Sequence, residues 1–341
     1  VPIVPIPSVV TKLPRSGDVI TSTIHSYVLG QQLGDGGYGT VFMCQDKNNN
    51  LVAIKIEKYS KSMLNIELEV MKCAAKHGCR HFLDLIDHGA KPPEYTFVVM
   101  TLLNKDLHKL RNEQPHRKFT RSTAYRLGIQ TIEAIRELHT MGYISRDVKP
   151  GNFAPGIRAN NKQRTVFMFD FGLARKHVTK HGYIVPQRKN VGWRGTSRYG
   201  SLEAHRRNDL GRRDDVESWF YLLVEVTVGS LPWRLVPDRT KVFTAKLNAR
   251  DIGRKQFLLD SPPIYDEFLR KIDELVYSSV PPYDLFLSSL EKLCKDQDYG
   301  LRDAFDWDDE VDTKSFDKNS YSEDEQKKEM SDPNCQPTQD L

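Results

Sequence analysis

YISRDVKPGNF, residues 143–153, decides how this chain is read. Asp147 follows an Arg, Lys149 comes two residues later, and Asn152 five residues after the Asp. One short loop thus carries a carboxylate that can take up a proton, an ammonium that can offset anionic charge, and an amide oxygen suited to a hard cation. Pro150 and Gly151 make the stretch a turn, and a solvated polar turn is the ordinary use of any one of these residues. Its meaning depends on what surrounds it.

Upstream, LGDGGYGTVF (33–42) contains Gly34, Gly36 and Gly39 in the order G-x-G-x-x-G, then Val41. A dinucleotide-binding turn shares this pattern, but that turn opens a helix after a strand. Here the glycines lie between two strand-like runs, YVLGQQLG and TVFMCQD, so a hairpin is expected. Missing side chains at such a hairpin let backbone N–H groups approach phosphate oxygens. Sixteen residues after Gly39, the apolar run VAIK ends at Lys55. An ammonium there either snorkels from an edge strand or meets an anion. Two acids, Glu67 and Glu69, stand on the helix expected over SMLNIELEVMKCAAKHG and point to different sides of it. Downstream, FMFDFGLAR places Asp170-Phe171-Gly172 twenty-three residues after Asp147.

Glycine lid, Lys, Glu, Arg-Asp-x-Lys-x-x-Asn and Asp-Phe-Gly, in this order, resemble the protein kinase signature. The blocks KPGNFA, FDFGLAR, GWRGTSRYGSLEAH, GRRDDVESWFYLLVEVTVGSLPWR and the closing FDWD (305–308) are similar to the casein kinase 1 superfamily, and most to its tau-tubulin kinase branch. The resemblance covers about residues 27–307. It implies an α+β, bilobal kinase fold using ATP and Mg²⁺ to phosphorylate Ser or Thr of proteins. In it Asp147 is the base, Lys149 steadies the γ-phosphate, and Lys55 with Glu67 places the α- and β-phosphates. Asn152 and Asp170 are the metal ligands. Leu33, Gly34, Gly36, Gly39, Val41, Ala53, Lys55, Met100, Leu103 and Ala154 form the ATP pocket, and Asp215 supports the catalytic-loop backbone. One departure stands out: Ser145 replaces the His of the usual His-Arg-Asp, which leaves a pseudokinase or scaffold as the alternative. That His would pack with Phe171, Met71 and Leu85.

The bulk properties agree with a two-lobed enzyme. The 341 residues are 39% hydrophobic, and no apolar run approaches the ~18 residues of a membrane span. Residues 1–26 read as an extended, proline-broken arm rather than a signal peptide. Residues 27–103 read as a strand-rich lobe with one main helix, and 104–307 as a helical lobe with long helices over FTRSTAYRLGIQTIEAIRELHTMG and DDVESWFYLLVEVTVG. Residues 308–341 hold eleven acids against four lysines and read as a disordered acidic tail. Five scattered cysteines without metal spacing fit a cytoplasmic protein, the nucleus being a second compartment. A monomer without nucleic-acid partners is expected.

The net charge of +5 hides a basic stretch. Between Asp170 and Asp215 stand eleven Lys and Arg against five Asp and Glu. Such a field favours acidic or phosphate-primed substrates, cytoskeletal proteins among them, with Arg188, Lys189 and Arg198 as the expected anion site. The bland alternative is arginines paired internally.

Overall fold

The computed structural model describes residues 12–35 and 39–308. Gly36 and, beyond Asp308, the acidic tail lie outside them, as does the start of the N-terminal arm. The chain divides into two compact units, one holding residues up to Ala75 together with Leu83–Leu102, the other Lys76–Phe82 and the chain from Leu103 onward. The sequence reading drew the line at 103/104 and kept 76–82 with the first lobe. Those residues group with the second unit because Glu137 accepts from the Arg80 and His81 amides, and Phe82 stacks on Phe171.

The first unit opens with a hairpin of β1 (Val19–Thr21) and β2 (Ser26–Val28), where an extended arm was expected. Ser22 Oγ accepts from the amides of Ile24 and His25, a local turn that periodicity does not reveal. The main sheet has the order β3 (Gln32–Asp35), β4 (Gly39–Gln45), β5 (Leu51–Lys58), β7 (Tyr95–Thr101), β6 (Leu85–Lys91), all antiparallel. Gly39 has no alternative: a Cβ there would lie 2.1 Å from the Ile56 carbonyl oxygen. Side chains alternate along each strand, so Phe42, Cys44, Val52, Ile54, Ile56, Phe97 and Val99 fill one core against Tyr27 and Leu29. Helix α1 (Leu64–His77) ends before Gly78 at φ 63°, and buries Leu64, Glu67, Val70, Met71 and Ala74; Leu68 is only half-buried.

In the second unit, α2 (Leu107–Glu113) and α3 (Arg121–Thr140) precede four short strands. These are β8 (Tyr143–Ile144), β9 (Phe153–Pro155), β10 (Val166–Met168) and β11 (Arg175–Lys176), pairing as β8 with β11 and β9 with β10. After α4 (Leu202–His205) comes α5 (Arg212–Val228), buried on nearly every side, as its all-round apolar sequence predicts. Trp219 on α5 donates from Nε1 to Thr131 Oγ1 on α3 at 3.0 Å. Helices α6 (Arg239–Asn248), α7 (Arg254–Phe257), α8 (Ile264–Asp273) and α9 (Tyr283–Asp296) complete the unit. The FDWD block then latches the start of α3: Asp306 accepts from Thr120 N, Thr120 Oγ1 and Thr123 Oγ1, and Trp307 stacks on Phe305. No helix among the described residues is long and apolar enough to cross a membrane.

Candidate active site

In the first unit, strand register gathers the expected nucleotide residues. Val41 faces Lys55 across β4 and β5, and Ala53 faces Met43 on one side and Met100 on the other. Directly paired residues share a face, as do residues two apart, so Val41, Ala53, Lys55 and Met100 lie on the sheet face opposite the Phe42–Val99 core. Leu33 and Gly34 sit on β3, half-buried and exposed. Lys55 Nζ lies 3.0 Å from Glu67 Oε1 and 2.9 Å from Oε2, so the carboxylate is engaged on both oxygens. A second acid stands nearby: Glu57 Oε1 is 3.5 Å from Lys55 Nζ. The sequence reading missed Glu57, although its position two residues along the strand from Lys55 was a signal for it. Glu57 is fully buried, and its other oxygen accepts from Ser62 Oγ and the Met63 amide. The Lys is thereby held by one acid on the helix and one on its own strand.

In the second unit, the 143–153 loop is built on Asp215, near the start of α5. Its Oδ2 accepts from Ser145 N at 2.6 Å and His139 Nε2 at 2.9 Å, and its Oδ1 from Arg146 N at 2.8 Å. This is the backbone support that the resemblance implied. It holds Arg146 at φ 66°, a left-handed conformation that persists only where the surroundings over-determine it. The bend presents Asp147. Asp147 Oδ1 accepts from Thr196 N at 2.9 Å and Thr196 Oγ1 at 2.8 Å, while Oδ2 is 2.8 Å from Lys149 Nζ. Lys149 also donates to Thr196 Oγ1 at 3.1 Å. Thr196 carried no assigned role in the sequence, because its contact is made across 49 residues. The approach depends on Gly195 at φ +89°: a Cβ would come within 2.5 Å of the Arg146 carbonyl oxygen.

Asn152 donates from Nδ2 to the Asp147 carbonyl at 2.9 Å, which commits the nitrogen and leaves the oxygen as the atom a hard cation could use. Asp170 is exposed at φ 62°. An amide oxygen and a carboxylate are hard donors, and two protein ligands suit a Mg²⁺ that keeps phosphate and water in its other positions. Phe171 is buried and stacks on Phe82, ring centroids 5.3 Å apart, a partner the sequence reading did not name. Ser145 is buried as well; its Oγ lies 3.3 Å from the Asp147 amide, so the residue in place of His touches the catalytic-loop backbone. Ala154 is buried on β9, and Leu103 forms a bridge to Gly156.

The expected anion site needs correction. Arg198 is 1% exposed; its guanidinium donates to the Arg234 carbonyl and lies 3.9 Å from Glu225, so it serves the interior of this unit. Arg188 is exposed but bound to Asp209. Lys189 and Arg194 remain exposed without an acidic partner among the described residues. Glu203 pairs with Arg206 at 2.6 Å and Arg213 at 3.1 Å.

Comparison with known proteins agrees with this geometry. The protein kinase domain family matches residues 27–278. A probable serine/threonine-protein kinase of Dictyostelium discoideum is 36% identical over 290 residues, covering 84% of this chain and 56% of the relative, so the chain spans about half that protein. The serine/threonine-protein kinase spe-6 of Caenorhabditis elegans is 32% identical over 303 residues, covering 86% and 79%. Another protein of that worm, named provisionally a casein kinase I, is 31% identical over 285 residues, covering 81% and 82%. A five-stranded sheet with a Lys–Glu pair, a helical unit carrying Asp147, Lys149, Asn152 and Asp170, and these relatives lead to one assignment: the chain belongs to the protein kinase family, as a serine/threonine kinase.

Proposed function

We propose that the kinase transfers the γ-phosphoryl group of ATP, bound with Mg²⁺, to Ser or Thr of acidic or phosphate-primed proteins, and that it falls in the casein kinase 1 superfamily near the tau-tubulin kinases. The worm relative named casein kinase I supports the placement, together with the sequence blocks at 192–205 and 211–234. Bound Mg²⁺–ATP would supply the reactive phosphoryl group and offset the charge spread over its oxygens. The chain's own residues position and compensate. Asp147, fixed by Thr196 and Lys149, orients the substrate hydroxyl and accepts its proton. Lys149 lies where anionic charge builds on the transferring group. Lys55, braced by Glu67 and Glu57, holds phosphate oxygens, while Asn152 and Asp170 would hold the metal. The odd number of scattered cysteines favours a reducing compartment, the cytoplasm or the nucleus, and the chain acts as a monomer.

The observation that carries the substrate reading is the exposed basic surplus after Asp170. Arg198 and Arg188 are withdrawn by internal pairing, so the burden moves to Lys189 and Arg194. The test is transfer of radiolabelled phosphate to matched acidic, primed and basic peptides. Wild type should favour the acidic and primed sets by about tenfold in kcat/KM, and Lys189→Ala with Arg194→Ala should erode that ratio. Equal kcat/KM for acidic and basic sets would refute the substrate reading. Absence of any transfer would instead favour the scaffold alternative that Ser145 raised.

A further inference from the structure

Asp209 has no part in the signature read from the sequence, yet its carboxylate accepts five hydrogen bonds from Arg175 and Arg188. It lies between α4 and α5 and is 1% exposed. Arg175 Nη1 donates to both of its oxygens, at 2.8 and 2.6 Å. Arg188 adds three bonds: its amide to Oδ2 at 3.0 Å, Nε to Oδ2 at 3.1 Å and Nη2 to Oδ1 at 2.9 Å. Gln187 Nε2 also donates to the Asp209 carbonyl at 3.2 Å.

These two arginines belong to different parts of the machinery. Arg175 is on β11, opposite Ile144 of β8, the strand that leads directly into Ser145–Asp147. Arg188 lies in the segment that runs from the Asp-Phe-Gly element toward Thr196. That segment is also tethered by the His177 and Val178 amides donating to the Gly142 carbonyl and by Tyr277 Oη donating to the Val185 carbonyl. The surroundings are strongly cationic. Burial, then Arg175, Arg188 and Arg194, pull the Arg146 guanidinium down to about 10, and Asp209 is the acid that opposes them. A cluster of four arginines around the catalytic loop calls for an anion.

We infer that Asp209 is a positioning residue for phosphoryl transfer: a built-in anion that ties the segment at Arg188 to β11 at Arg175, and so fixes the loop bearing Asp147. The inference rests on the kinase assignment and not on the substrate preference. An ordinary buried ion pair would contribute only to the stability of the helical unit, and its net worth would be small. A positioning anion instead controls segment order and turnover, and another anion of the right size replaces it.

Three readouts on the full chain separate these cases: kcat and KM, trypsin cleavage after Lys180, Arg188 and Lys189, and rescue by acetate, which mimics the missing carboxylate. Asp209→Ala should lower kcat by about tenfold or more, leave the KM for ATP within about twofold, and speed cleavage of the segment about tenfold. Acetate at tens of millimolar should restore part of the protection and turnover in Asp209→Ala, and do nothing for wild type or Asp147→Asn. Arg188 is exposed and Arg188→Ala keeps the Asp209–Arg175 pair, so the variant reports even where Asp209→Ala fails to fold; read after Lys180 and Lys189, the two sites it retains, cleavage should shift with kcat in the same direction. Wild-type cleavage and kcat in Arg188→Ala, or an acetate-insensitive loss in a folded Asp209→Ala, would overturn the inference. Because cleavage and its acetate response need no catalysis, an inactive wild type would sink the kinase reading and with it the role in transfer, while cleavage would still read whether Asp209 orders the segment.

Discussion

Asp215→Asn tests the support under the catalytic loop. The carboxylate can only accept, so His139 carries its proton on Nε2, and three donors converge on two buried oxygens. An amide at this position keeps one acceptor. With that oxygen toward Ser145 and His139, the new NH₂ faces the Arg146 amide, a donor against a donor. One bond is lost and a buried N–H is left unmet, at about 1–3 kcal/mol. The two remaining bonds fall from charge-assisted to neutral, roughly halving each, for about 1 kcal/mol more apiece. The total is about 3–5 kcal/mol, a large share of the 5–15 kcal/mol that holds a typical domain folded. The change also frees Arg146 from the tether that enforces its φ of 66°, a conformation that costs on the order of 1–3 kcal/mol. Asp147 follows directly in the chain, so turnover should drop by about a hundredfold. Denaturant titration and steady-state kinetics at saturating ATP give the two numbers. A variant within 0.5 kcal/mol or so of wild type, with kcat unchanged, would refute the support argument.

Asp147→Asn should reduce kcat by several orders of magnitude with nucleotide still bound, measured by single-turnover phosphorylation beside a binding titration. Glu67→Gln should weaken the hold on Lys55 and raise the KM for ATP, while retained contact with Glu57 keeps the loss below that of Lys55→Met. Ser145→His should keep or raise turnover, because the His that the resemblance puts here packs with the Asp-Phe-Gly Phe and takes no part in proton transfer; a fall in both kcat and Tm would contradict this. Burial alone would raise the Asp209 carboxyl above its ordinary 3.8, but hydrogen bonds from Arg188 and Arg175 outweigh it and hold the group well below the usual range. A depressed folded pKa gives stability that is present above about pH 4 and lost as the pH falls through the folded value. The stability difference between wild type and Asp209→Asn should therefore shrink on acidification below pH ~4, by denaturant titration; a constant difference would count against it.

The local chemistry was legible in the sequence because it resides in short, fixed spacings. The Asp147–Lys149–Asn152 loop, the Asp-Phe-Gly element and the helix over 64–77 each depend on residues a few positions apart. The Lys55–Glu67 pair could be named because one strand and the next helix supply its members. Val41, Ala53 and Lys55 were grouped by the family resemblance, and the register of β4 against β5 puts them on one face. Contacts between residues far apart in sequence were not legible. Thr196 against Asp147 and Phe82 against Phe171 join remote segments, and so does Asp209 against Arg175 and Arg188. Basic residues show the limit most plainly. Sequence gives their number and sign, but whether an Arg faces a substrate or a buried carboxylate depends on which acid the fold delivers to it. Arg198 and Arg188 were counted as substrate contacts, and the fold delivered Glu225 to one and Asp209 to the other. A guanidinium's charge is fixed by its chemistry, but its partner is fixed only by tertiary packing.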